Sequence, residues 1–226
     1  MGENYLVIPD LHEPACDSRA LSHCKALKKE YNTGDNTIFL GDEVDVYWGS
    51  THDKDPDAKW TANEEIELAR EKLREWGSAF PKARVCTSNH GLRWLRRMFD
   101  YSLPSQLLRS YEEIYQVPKG WKYQEKWVIK QKYPWMAFHG EGFSGINAHR
   151  TAAMAFGMSV VHGHLHTSAA ISFLKTHGLD IWAANFACLI DVEAFCFRYS
   201  KIFKFQPTLG AGVITQDGRT PLWIPL

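Results

Sequence analysis

Residue types that bind metals recur along this sequence in five short groups, each of which follows an apolar run. The groups are Asp10-Leu11-His12, Gly41-Asp42-Glu43-Val44-Asp45, Asn89-His90, His139-Gly140 and Gly163-His164-Leu165-His166. Carboxylate and amide oxygens together with imidazole nitrogens suit two neighbouring divalent cations, which need one carboxylate shared between them. Asp-x-His or a single histidine arises often by chance, so no group is informative alone. All five in this order predict a two-metal hydrolase site.

The apolar runs before the first three groups predict the strands that position them. The runs that precede Asp10, Asp42 and Asn89 lie at 5–8, 37–40 and 84–87. Between them, residues 18–31 have helical periodicity, and Thr61 with Glu64 forms a possible capping box for a helix that reaches about residue 76. Alternating strands and helices imply parallel pairing. The polar groups are therefore expected at the carboxyl edge of one sheet, where sites in open α/β sheets form.

Beyond residue 90 the pattern predicts further helices and a second set of strands. In chain order these are a mostly helical stretch over 92–116 broken near Pro104, strands over 127–131 and 135–139, a helix over 147–157, strands over 159–161, 169–174, 179–183 and 194–205, and a hairpin at Asp217-Gly218 that joins 212–215 to 222–224. We therefore predict one α/β domain over 1–226. Its expected architecture is a four-layer α-β-β-α sandwich of two mixed sheets with outer helices.

The composition indicates which binding partners and which cellular compartment to expect. The chain has 226 residues, a formal net charge of zero and a pI of about 7.1, so no global field attracts nucleic acid or a membrane surface. Five cysteines without a C-x-x-C pair predict small core residues in a reducing compartment. The sequence begins without the basic and apolar regions of a signal peptide and has no apolar run of membrane-spanning length. A cytoplasmic protein without a membrane partner is expected, and its oligomeric state stays open.

The order and the residue types of the five groups resemble those of the calcineurin-like metallophosphoesterase superfamily. That family has D-x-H, G-D-x-x-D, G-N-H-D/E, a single H and then G-H-x-H, and the resemblance runs from Asp10 to His166. The stretches DLHEP, GDEVDVYW and MSVVHGHLH are most similar to small single-domain members, many of them encoded by phages. One group departs from the pattern, since Ser88 replaces the first glycine and Gly91 replaces the usual acid.

The resemblance implies a role for each residue of the five groups. The first metal would take Asp10, His12 and His166, the second would take Asn89, His139 and His164, and Asp42 would bridge them. Two divalent ions, with Mn²⁺ expected and Fe, Ni²⁺ or Zn²⁺ left open, would hold a bridging hydroxide that attacks the phosphoester. His90 would protonate the leaving oxygen, and Asp45 would orient the His90 imidazole. The remaining histidines match no group and are predicted to be structural or on the surface: His23, His52, His149, His162 and His177.

The substrate is the least determined part of the prediction. Ser/Thr phosphatases of this superfamily keep arginines where this chain has Val46-Tyr47 and Thr87, and guanidinium pairs grip a dianionic phosphate. Their absence favours a phosphodiester, as in nucleic acid or a nucleotide, although Arg93 or Arg150 could supply a guanidinium from elsewhere. A protein serine/threonine phosphatase, a general phosphomonoesterase and a non-enzymatic metal-binding scaffold remain the alternatives.

One stretch bears on nucleic acid as a partner. Lysines alternate with aromatic residues over 119–132, a composition that suits single-stranded nucleic acid. The same composition also describes the exposed face of antiparallel strands with core aromatics between the lysines, and we favour that interpretation.

Overall fold

The computed structural model describes residues 3–50, 55–194, 196 and 204–226. Most of the strand predicted over 194–205 lies outside the described residues, as does His52. Within the described part of the chain, no helix has both the length and the apolar character that crossing a bilayer requires.

Eleven strands and five α-helices are assigned in these residues. The strands are β1 (Tyr5–Ile8), β2 (Thr37–Phe39), β3 (Ala83–Cys86), β4 (Trp121–Gln124), β5 (Lys126–Ile129), β6 (Trp135–Phe138), β7 (Ser159–His162), β8 (Ala170–Lys175), β9 (Asp180–Asn185), β10 (Gly210–Thr215) and β11 (Thr220–Pro225). The helices are α1 (Ala20–Glu30), α2 (Ala62–Ala79), α3 (Arg93–Asp100), α4 (Tyr111–Tyr115) and α5 (Ala148–Phe156). Short 3₁₀ turns occur at Tyr47–Gly49 and Ser105–Leu107.

The strands form two mixed sheets. The first has the order β11-β10-β1-β2-β3-β4, in which β1 to β4 run parallel and β10 and β11 run antiparallel to their neighbours. The second has the order β5-β6-β7-β9-β8, in which β6, β7 and β9 are parallel and the edge strands β5 and β8 are antiparallel. The predicted parallel pairing of the first three strands is confirmed.

Strand alternation divides the core into layers. In β1, Val7 faces the second sheet, while Leu6 and Ile8 face the helices α1 and α2. In β6, Trp135 faces the first sheet, whereas Phe138 packs in the cluster that contains the alanines of α5. Helices therefore cover the outer face of each sheet, and the predicted four-layer α-β-β-α sandwich is confirmed.

Helix α2 shows how local sequence signals build one outer layer. Thr61 caps it by accepting the Glu64 N–H, and the Glu64 carboxylate accepts the Thr61 N–H in return, as the capping box predicts. Its buried positions Ala69, Leu73 and Trp76 follow one helical face onto the sheet. Burying a side chain the size of Leu73 contributes about 1.5–3 kcal/mol.

The stretch 92–116 is mostly helical and broken near Pro104, as predicted, and it comprises α3, a 3₁₀ turn and the short α4, which the Ser110 capping box starts. One sequence prediction needs correction. The stretch 119–132 is not purely antiparallel, because β4 pairs in parallel with β3 as the edge strand of the first sheet. Trp121 is buried there and Lys122 is exposed, which suits an edge strand whose charged residues discourage further pairing.

Candidate metal centre

The carboxyl ends of strands from both sheets converge on one site. In the first sheet, β1, β2 and β3 lead to Asp10, Asp42 and Asn89, and in the second sheet β6 and β7 lead to His139 and His164. The His139 imidazole joins the sheets, because its Nδ1 lies 3.0 Å from the carbonyl oxygen of Leu40. All seven predicted ligands are brought together at this edge.

Backbone conformations at the site carry strain. His12, Asp42 and His164 have φ values of 56°, 48° and 67°, in the left-handed region that side chains with a β-carbon rarely adopt. A β-carbon at Gly163 would lie 2.1 Å from Asp10 Oδ1, so glycine is required for the loop to pass over that carboxylate. The fold thus holds these ligands in conformations that the local chain disfavours.

Four donors surround one candidate cation position. Oxygen or nitrogen atoms of Asp10, His12, Asp42 and His166 all lie within 4.8 Å of one another. Nε2 of His12 is 3.2 Å from Nε2 of His166 and 3.5 Å from Asp42 Oδ2. Asp10 Oδ2 is 3.0 Å from His166 Nε2. This group matches the first metal site that the sequence predicts.

A second group shares Asp42 with the first. Donor atoms of Asp42, His139 and His164 lie within 4.8 Å of one another. Nε2 of His139 is 3.3 Å from Asp42 Oδ2, 3.2 Å from His164 Nδ1 and 2.7 Å from Asn89 Oδ1. Asp42 is therefore placed as a carboxylate that two cations would share.

The donor atoms at the centre fit cations. Asp10 and Asp42 are buried carboxylates, and the Oδ2 atom of each faces Nε2 atoms of the donor groups. The facing imidazole nitrogens of His12 and His166 can share only one proton, and those of His139 and His164 are in the same position. Carboxylate and amide oxygens with imidazoles and no thiolate suit divalent first-row metals, without selecting one of them.

Hydrogen bonds at Nδ1, on the side of the ring away from the centre, orient two of the histidines. Asp45 Oδ1 accepts a hydrogen bond from Nδ1 of His12 over 2.8 Å, and the carbonyl oxygen of Leu40 accepts from Nδ1 of His139. Each contact places a proton on Nδ1 and turns Nε2 toward the centre. Backing of this kind by a carboxylate or carbonyl is the usual support of metal-bound histidines.

His90 lies beside the centre rather than within the two ligand groups. Its Nδ1 is 2.8 Å from the Asp45 carbonyl oxygen and 3.0 Å from Asp45 Oδ1, as expected for a carboxylate that orients this ring. Its Nε2 is 2.6 Å from Nη2 of Arg93 and 3.9 Å from Asp42 Oδ2. Because a guanidinium only donates, Nε2 accepts here and His90 is neutral in this arrangement.

Charge at the centre is out of balance without cations. Burial lowers the pKa of His12 to about 4. Burial also disfavours charge on His139, but the Asp42 and Asp10 carboxylates outweigh it and raise the His139 pKa to about 9. The carboxylates thus retain a proton on His139, and cation binding would release it.

Side chains at the centre differ in exposure. Those of Asp10 and His12 are fully buried, whereas those of His90, Arg93 and His166 are 12, 17 and 18% exposed. His90, Arg93 and His166 therefore border an open side of the centre.

Sequence reasoning missed one supporting residue. The hydroxyl of Ser88 accepts a hydrogen bond from the backbone N–H of Asp42 over 2.9 Å. This contact holds the backbone of Asp42, whose carboxylate the two cations would share. A β-carbon at Gly41 would approach the Ser88 β-carbon to 2.7 Å, so the two positions are packed together. The departure from the family pattern at Ser88 was the signal that could have identified it.

Comparisons with known proteins add one distant similarity. No known protein family and no curated protein matches the chain. Among solved structures, Vps29 from Chaetomium thermophilum is similar with a TM-score of 0.41 and 13% sequence identity, over 96% of this chain and 86% of that one. Nothing about the activity of this chain follows from a similarity so distant.

Proposed function

We propose that this chain is a phosphoesterase that depends on two divalent cations. The observation that supports it most is the position of Asp42 in two donor groups at once. When bound, such a cation pair would supply an acidified water near neutral pH and positive charge for the phosphoryl oxygens. Asp10, His12 and His166 would hold one cation, and Asn89, His139 and His164 the other.

Around the cations, the chain's own residues would orient the substrate and move a proton. His90 borders the open side, so its Nε2 would carry the proton for the leaving oxygen once that nitrogen is released from Arg93. Asp45 would keep the ring in place through Nδ1. The buried carboxylates of Asp10 and Asp42 would remain ionised and bind cations rather than exchange protons.

We favour a phosphodiester, in nucleic acid or a nucleotide, as the substrate. Val46 is buried and Thr87 is uncharged, so the two positions at which related phosphatases keep arginines supply no cation. A dianionic monoester loses more from their absence than a singly charged diester does. The aromatic residue Trp121 is buried, so it gives no support to base stacking on the 119–132 stretch.

A phosphomonoesterase, including a protein serine/threonine phosphatase, is the second candidate. Arg93 supports it, because its guanidinium lies at the open side of the centre and could contact a dianionic phosphate. A metal-binding scaffold without activity is the non-enzymatic alternative.

Turnover of bis(p-nitrophenyl) phosphate tests the proposal. We expect hydrolysis with Mn²⁺, loss of hydrolysis after EDTA treatment and desalting, and recovery on adding metal back. Full activity after metal removal would contradict the mechanism. Two bound ions without turnover of any ester in a panel of DNA, RNA, cyclic nucleotides and phosphopeptides would support the scaffold. A higher kcat/KM for a phosphoserine peptide than for the diester would favour the phosphatase.

A further inference from the structure

Arg93 is the one cation of α3 that points at the candidate metal centre. Its Nη2 lies 2.6 Å from His90 Nε2, and its Nη1 lies 3.0 Å from the carbonyl oxygen of Asp45. The other arginines of the helix point elsewhere, since Arg96 pairs with Glu141 over 3.0 Å and Arg97 donates to the carbonyl oxygens of Gly49 and Ser50.

The position of Arg93 compensates for the missing arginine at Val46. Its β-carbon packs against the turn that follows Asp45, where a β-carbon on Gly49 would come within 3.3 Å of it. Its guanidinium then reaches back to the carbonyl of Asp45, the residue directly before Val46. Arg93 of α3 thus places a guanidinium at the turn after Asp45, where the sequence has Val46 and no arginine.

The present partners of Arg93 are weak ones for a guanidinium. One is a neutral imidazole nitrogen and the other a backbone carbonyl, while the nearest carboxylate oxygen, Asp45 Oδ1, is 3.8 Å away. A guanidinium can form two parallel hydrogen bonds to the oxygens of one anionic group, and attraction between the opposite charges adds to them. A phosphate oxygen that arrives at the open side would therefore replace His90 as the partner of Nη2.

We propose that Arg93 binds the phosphate group of the substrate and is the residue that admits dianionic phosphates to this site. His90 is its resting partner, and engagement of the phosphate releases Nε2 of His90. This inference rests on the proposed phosphoesterase function. Because attraction to Arg93 grows with phosphate charge, Arg93 sets how far the site accepts a monoester or a terminal phosphate in addition to the favoured diester.

Two variants separate phosphate binding from support of His90. Arg93→Ala removes both roles. Arg93→Gln keeps an N–H that can reach His90 but removes the charge, and Arg96→Ala is the matched control on the same helix. Each Mn²⁺-loaded protein is titrated with inorganic phosphate by calorimetry. Each is also assayed on p-nitrophenyl phosphate and bis(p-nitrophenyl) phosphate, which share a leaving group and differ in charge.

We expect Arg93→Ala and Arg93→Gln to weaken phosphate binding by about 10–100-fold, since a charge-assisted pair contributes on that order. kcat/KM should fall more for the monoester than for the diester in both variants. Arg96→Ala should match the wild type in every measurement.

The inference is overturned if Arg93→Gln retains wild-type phosphate affinity and the wild-type ratio of kcat/KM for the two esters, because Arg93 would then only hold His90. This outcome is decisive even if Arg93→Ala fails to fold. If the metal-loaded wild type hydrolyses neither ester yet its phosphate affinity depends on Arg93, the proposed function fails while the assignment of Arg93 to phosphate stands.

Discussion

Asp45 accepts a hydrogen bond over 2.8 Å from Nδ1 of His12, a predicted metal ligand. The same Oδ1 atom lies 3.0 Å from Nδ1 of His90. One buried carboxylate thus links the binding of metal to the residue proposed to protonate the leaving group. The sequence analysis predicts a contact of Asp45 with His90 alone. Because Asp45 also contacts His12, a substitution at Asp45 is expected to affect metal binding as well as turnover.

Asp45→Asn should weaken metal binding as well as slow turnover. Loss of the charge behind His12 should lower its basicity, and changes to such supporting residues cost about 10–100-fold in metal affinity or activity. Competition with a chromogenic chelator measures the affinity. Asp217→Asn, in the turn between β10 and β11, is the control and should have no effect. Unchanged metal affinity with reduced turnover would restrict Asp45 to orienting His90.

Asp42→Asn should remove both ions rather than one. The shared position loses the negative charge that offsets two dications, while asparagine tolerates the left-handed backbone that Asp42 adopts at φ 48°. The variant should therefore fold but retain little metal after dialysis. Metal content by mass spectrometry, with a thermal melt to confirm folding, is the measurement. Wild-type content of both ions would show that Asp42 is not shared.

Most of the fold and the site could be predicted because each ligand group directly follows a strand signal. The apolar runs at 5–8, 37–40 and 84–87, which precede Asp10, Asp42 and Asn89, placed three strands and their carboxyl edge correctly, since apolar runs are local features of a sequence. Convergence of His139 and His164 on the same edge came from the order of the family pattern. No local signal showed that the second sheet faces the first.

Other features depend on distant contacts and could not be predicted. The stretch that contains β4 was expected to pair antiparallel, and only the contact with β3 shows that β4 is a parallel edge strand of the first sheet. Arg93 could be named as a candidate, but its contact with His90 depends on where α3 begins and on the turn at Gly49. The double role of Asp45 depends on two loops that meet only in the folded chain.

Glu13 should make stability depend on pH. It is buried and accepts the indole N–H of Trp76 over 2.7 Å. Burial raises its pKa from 4.5 to about 7, although the Trp76 hydrogen bond opposes the shift. A raised pKa means that the folded state binds the proton more tightly, so this stabilisation is complete below about pH 4.5 and is lost as pH rises through about 7.

Glu13→Gln tests that dependence. From pH 5 to pH 8, the free energy of unfolding of the variant should increase relative to that of the wild type by about 1–3 kcal/mol. Urea unfolding of the metal-free proteins at several pH values measures it. Glu71→Gln, at an exposed position of α2, is the control for loss of a glutamate elsewhere on the surface. A difference for Glu13→Gln that does not change from pH 5 to pH 8 would mean that Glu13 is ionised throughout the range.

His90→Ala should leave both ions bound while slowing the reaction. The two donor groups around Asp42 are complete without His90, whose Nε2 is 3.9 Å from Asp42 Oδ2. Removing a general acid costs about 10²–10⁴-fold in rate. The loss should be greatest when the leaving group is a nucleoside alkoxide, which needs a proton, and smaller for p-nitrophenolate, which leaves with little protonation.

Rates on a dinucleotide and on bis(p-nitrophenyl) phosphate, measured together with metal content, decide the role of His90. His177→Ala, at an exposed position, is the control and should change neither quantity. Loss of one ion in the His90→Ala variant would make His90 a ligand. Equal rate losses on both substrates would make it a structural support for Arg93 and Asp45, because only proton transfer to the leaving oxygen distinguishes an alkoxide from p-nitrophenolate.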